Sequence, residues 1–113
     1  MPMNEGVLAK LSFGGETAHT SDHPPVLLSG SKKAGSGAFT AGLLLARDAA
    51  GEFAPYTGTG TLAGVCDEPC DADAETCVYL AHGTVKARLL TKGGAAVAAD
   101  DVAKLHTITI YPL

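Results

Sequence analysis

Glycine and proline interrupt this chain too often for long helices to form: 14 Gly and 6 Pro are spread through its 113 residues. In a helix interior Gly costs roughly 1 kcal/mol and Pro roughly 3 kcal/mol relative to Ala. Most of the length must therefore be strand and turn, in one module, because a chain this short holds a single core. That core is thin. Apolar residues make up 46%, much of it Ala, Val and Leu, with no Trp, three Phe and three Tyr. At ~25 cal/mol per Å² of buried apolar surface the margin over chain entropy is small. Association with copies of itself is the expected remedy.

The formal net charge of −4 argues against a nucleic-acid partner, since affinity for phosphates rests on Lys and Arg displacing counterions. The opening stretch "MPMNEGVLAKLSFGG" has no basic start followed by an apolar run, and no stretch of about 18 consecutive apolar residues occurs. Neither export by a signal nor a membrane partner is expected. Three cysteines cannot complete a disulfide framework, so synthesis in a reducing cytoplasm is the simpler reading.

Composition divides the chain in two. Residues 1–37, including "SFGGETAHTSDHPPVLLSGSKKAGSG", are rich in Gly, Ser, Thr, His and Pro. They bury too little to offset their own ordering and read as a flexible arm. Its one extended piece is "PPVLLSG", and Lys32 and Lys33 are read there as solvated charges. Residues 38–113 form the β-rich domain. "FTAGLLLAR", the Gly51 turn "DAAGE" and "FAPY" predict a hairpin whose second strand is an edge because of Pro55. "LAGVC" is another strand. "TCVYLAHGTVKARLL" is the longest, with a register shift near His82 and Gly83. "AADDVAKLH" predicts a two-turn helix, with Asp100 and Asp101 at its positive start. "TITIY" predicts the last strand. The class is thus mainly β with one short helix.

All three cysteines lie in "CDEPCDADAETC", residues 66–77. Cys66 and Cys70, with Cys77 and His82, loosely match zinc-ligand spacing, but an odd separation on a strand sends Cys77 and His82 to opposite faces. If the flanking strands pair, Cys66 and Cys77 become cross-strand neighbours within reach of a disulfide once oxidants are present. A catalytic thiol is the weakest reading, because the neighbouring carboxylates disfavour a thiolate. Calcium would need the Gly and Glu positions of a helix-flanked loop, which are absent here. The carboxylates read best as a solvated edge that discourages strand-to-strand aggregation. His19, Ser21, Asp22 and His23 supply triad residue types, yet on an arm that cannot hold a triad. "GTGT" lacks the Lys and the setting of a phosphate loop. The residues themselves offer no active site and call for no cofactor or metal.

From "GAFTAGLLLAR" through "FAPY", "GTGTLAGV" and "HGTV" to "TITIY", the ordered series resembles the head decoration proteins of tailed bacteriophages, the lambda-type capsid-stabilising family. The likeness covers about residues 37–113. It implies a small β-clip-like fold and a non-enzymatic homotrimer at three-fold and quasi-three-fold positions on the outer capsid surface of the virion. There it would clamp the major capsid (coat) protein of the expanded head against internal DNA pressure. The N-terminal arm would order against the coat, where Leu8, Leu11 and Phe13 are the apolar side chains expected to fill pockets. The cysteine cluster has no counterpart in that likeness. Two other classes stay open: a trimeric nucleotide hydrolase of the deoxyuridine triphosphatase kind, against which the C-terminal "TITIYPL" speaks, and a small zinc-binding interaction module.

Overall fold

Residues 16–113 are described by a computed structural model. Among them the strands are β1 (Val26–Ser31), β2 (Leu44–Arg47), β3 (Phe53–Pro55), β4 (Thr61–Cys66), β5 (Thr76–Val85), β6 (Thr91–Lys92), β7 (Ala95–Ala96) and β8 (Ile110–Pro112). One α-helix, α1 (Ala99–Thr107), precedes β8. The described residues are mainly β with one short α-helix, as the scatter of Gly and Pro requires.

The main sheet runs β1-β5-β4-β2-β3, all neighbours antiparallel, and β8 joins β5 in parallel. The β2–β3 hairpin forms where the sequence predicts it. Asp48 Oδ1 accepts from the backbone N–H groups of Ala50 and Glu52, closing the turn. Pro55 sits on the outermost strand, where a missing N–H costs no ladder bond. The sheet then curls: Lys32, one residue past β1, bridges Phe53 of β3, so the two ends of the strand order meet at one point.

This curl gives the sheet an inner and an outer core. Inside lie Phe39, Leu45, Phe53, Cys66, Cys77 and Tyr79. Outside, Leu44, Val65, Leu80, Val85 and Ile110 pack with Leu105 of α1. Alternation along β5 explains the division, with Cys77 and Tyr79 turned inward and Leu80 turned outward. The expected irregularity in β5 is present: Val26 pairs with His82 but Leu27 with Leu80, so Ala81 is left over. Gly83, at φ +135°, takes a conformation that side chains rarely adopt, and a Cβ there would stand 3.2 Å from the Pro25 Cα.

α1 begins where the paired aspartates suggest. The Ala98 N–H donates to Asp101 Oδ2 at 2.8 Å, and Lys92 Nζ reaches the same oxygen at 2.9 Å. These contacts hold the Asp101 carboxyl below its ordinary pKa, the Ala98 N–H first and the Lys92 ammonium second. Leu105 anchors the helix in the outer core.

Three sequence expectations change. β5 stops at Val85, not Leu90, because Ala87–Leu89 turn into a single 3-10 turn. The last strand begins at Ile110, because the helix continues through Thr107. The arm boundary at residue 37 does not hold for the described residues. Ala18 is fully buried, its N–H donates to the Asp67 carbonyl, and its own carbonyl accepts from Lys86. Val26–Ser31 pairs with β5 along its whole length. The polar composition of this segment misleads because its ordering comes from backbone pairing with a distant strand rather than from its own apolar side chains.

Candidate interaction surface

β1 carries the feature that most needs a partner. Val26, Leu27 and Leu28 are 45%, 37% and 46% exposed, so both faces of the strand show large apolar side chains to solvent. β1 stands at one end of the strand order, and among the described residues no strand pairs along the outer edge of Val26–Ser31, the Lys32–Phe53 bridge lying just past its end. An apolar strand with an open edge is a template for adding a further strand, and proteins normally blunt such edges with charge or proline. Here Pro24 and Pro25 guard only its start. Tyr111 and Leu113, at the end of the chain, are also exposed.

The far end of β1 is fixed by a buried cation. The Lys32 ammonium donates to the carbonyls of Gly37 at 2.5 Å and Asp71 at 2.7 Å, with Ala72 further off at 3.4 Å. It also lies 4.6 Å above the Phe39 ring. Lys32 is therefore a structural clamp that ties the acidic loop to β1, and not the solvated charge expected of it. Lys33 stays exposed beside Asp48.

The stretch of residues 66–77 is only partly a solvated loop. Asp67 is fully buried, and its Oδ1 accepts from the His19 backbone N–H at 2.9 Å and from His19 Nδ1 at 2.8 Å. Its Oδ2 has no hydrogen-bond partner among the described residues. Cys66, Cys70 and Cys77 are free thiols at the inner core, the first and last buried. The register sets Cys66 opposite Tyr79 and Cys77 opposite Gly30 of β1, so the two cysteines are not directly paired across β4 and β5 as the sequence suggests. Burial pushes the Cys66 thiol far up and also raises Cys77, while Cys66 Sγ donates to the Glu68 carbonyl at 3.1 Å. Such thiols are poor nucleophiles, since attack needs the thiolate.

His82 does not join the cysteines. Its Nε2 lies 3.1 Å from His23 Nε2 and its Nδ1 2.7 Å from Thr109 Oγ1. Among the described residues no group of three or more His, Cys, Asp or Glu side chains is arranged to hold a metal ion. An open cleft of about 540 Å³ is lined by Ala38, Thr40, Leu43, Pro55, Thr57 and Thr91 with two glycines, and carries no ionisable side chain. Leu8, Leu11 and Phe13, the expected capsid-contacting residues, lie outside the described residues. Sequence reasoning missed the exposure of Val26–Leu28 and the burial of Lys32 and Asp67. The first was legible in three consecutive large apolar residues placed directly after two prolines.

Compared with known protein families and with curated proteins, the chain matches none. No helix is long and apolar enough to cross a membrane among the described residues.

Proposed function

We propose that this chain is a non-enzymatic structural protein that assembles as a homotrimer and decorates the outer surface of an expanded bacteriophage head. It binds the major capsid protein there and stabilises the shell. The observation that carries this reading is the open apolar edge of β1, three exposed large side chains on a strand whose outer side is unpaired. A small β-domain that keeps such an edge is built to bind protein by strand addition or apolar docking. The cleft without ionisable groups, the acidic net charge and the ordered series of motifs that resembles the decoration family support the same reading. Modest contacts suffice, because a trimer engages several coat subunits at once and multivalency multiplies weak binding.

Light scattering on the purified full chain tests self-association, with three times the chain mass expected. Mixing the protein with expanded, undecorated capsids tests the partner. A monomer that leaves capsids bare would exclude the reading.

A further inference from the structure

The two imidazoles that meet beside the start of β1 have no part in the proposed function. His23 lies in the exposed segment just before β1, and His82 is half-buried on β5 opposite Val26. Their approach is fixed by backbone geometry. Pro24 and Pro25 follow His23 and restrict the chain there. Pro25 rests against Gly83, where only glycine leaves room. The irregular register between Val26 and Leu27 then turns His82 toward the same spot.

The hydrogen bonds around His82 determine which nitrogen is free. Thr109 Oγ1 lies beside both the Ile108 carbonyl and His82 Nδ1; with its hydroxyl proton directed to the carbonyl, which can only accept, Thr109 Oγ1 accepts from the Nδ1–H of His82. His82 Nε2 is thereby left as a bare lone pair. His82 Nε2 lies 3.1 Å from His23 Nε2 in an exposed contact, with the rings tilted by 57°. With the His82 proton on Nδ1, a hydrogen bond between the two rings needs the His23 proton on Nε2.

We infer that His23 and His82 form a two-imidazole binding site for a borderline divalent transition ion of the Ni²⁺, Cu²⁺ or Zn²⁺ group. Imidazole nitrogens bind such ions at about 2.0–2.1 Å. With the nitrogens 3.1 Å apart, two bonds of about 2.05 Å enclose an angle of roughly 98°. That lies between the right angle of a square-planar site and the tetrahedral angle, and each ring turns its Nε2 lone pair from the partner nitrogen toward the ion. Binding moves the bridging proton from His23 Nε2 to its Nδ1, which leaves both Nε2 atoms as ligands. Thr109 acts as the outer-shell partner that fixes the ring and tautomer of His82, a role that such neighbours commonly play. No third protein ligand joins them among the described residues, so water fills the remaining positions. The bound ion would tie the segment leading into β1 to the bulge of β5.

The test is calorimetric titration of the tag-free full chain with Ni²⁺ alone and with Zn²⁺ alone, together with nuclear magnetic resonance of the histidine rings during the Zn²⁺ titration. One ion per chain is expected, with the His23 and His82 ring signals moving together. His23→Gln lies on an exposed segment and keeps the fold, and should weaken binding at least about tenfold; His82→Gln should do the same. Thr109→Gly should cost about 10–100-fold, as loss of an outer-shell partner does, while His106→Gln and Cys70→Ser leave binding unchanged. Equal affinity of His23→Gln and the parent chain, or movement of the His19 or His106 rings in place of His23 and His82, would overturn the assignment.

Discussion

His19 and Asp67, forty-eight positions apart, are held together by two hydrogen bonds to a single carboxylate oxygen that is fully buried. The pair fastens the first described residues to the loop after β4. Its members are not equivalent. Removing the imidazole leaves a buried carboxylate with one backbone donor and an orphaned second oxygen. Removing the carboxylate leaves a histidine that is 28% exposed on its side chain and can reach water. His19→Ala should therefore lower unfolding free energy by about 2–3 kcal/mol, as loss of a hydrogen bond to a buried charged group does. Asp67→Asn should cost less, about 1–3 kcal/mol. Urea unfolding of both variants checks the order, and the reverse order would show that the carboxylate is not the costly partner.

The thiols should react in sequence. Burial raises Cys66 and Cys77, whereas Cys70 is only half-buried. Titration of the native protein with a thiol reagent should give one prompt equivalent at Cys70 and two more only on unfolding. Three thiols should be counted in total.

Stability should fall on acidification partly through Asp101. Its pKa is depressed by the Ala98 N–H and by Lys92, so its contribution is complete above the ordinary carboxylate range. That contribution is lost as pH drops through the lowered value. Thermal melts from neutral pH down to acid should show a decline that Asp101→Asn makes shallower, since the variant no longer loses this charge.

Gly30 should resist enlargement. A Cβ there would stand 2.4 Å from the Phe53 ring, where β1 meets the far side of the curled sheet. Gly30→Ala should cost about 1–3 kcal/mol, as overpacking does, read as a lower midpoint in denaturant.

Much of the fold was legible because it depends on local chemistry. Asp48 and Gly51 define the hairpin turn, Pro55 its edge strand, and Asp100 and Asp101 the helix start. What escaped depends on partners far along the chain. Lys32 is buried because carbonyls 39 and 40 residues away come to meet its ammonium. Asp67 is buried because His19 reaches it from the far end of the chain. A polar residue's local surroundings carry no trace of such acceptors and donors, so both read as solvated. The apolar run of Val26–Leu28 was read as an extended piece, but its exposure follows from the strand order, which leaves β1 at an end.

The proposed role rests on that end of the sheet, and two charges placed there should remove it without unfolding the domain. Val26 and Leu28 are about half exposed, so Val26→Glu with Leu28→Glu should leave the circular dichroism spectrum and melting point close to those of the parent chain. Electron cryomicroscopy of expanded, undecorated capsids mixed with each protein is the most direct measurement. Trimeric density at three-fold and quasi-three-fold positions is expected for the parent chain, and bare capsids for the folded double variant. Bare capsids with the parent chain, or equal decoration by the double variant, would contradict the proposed role.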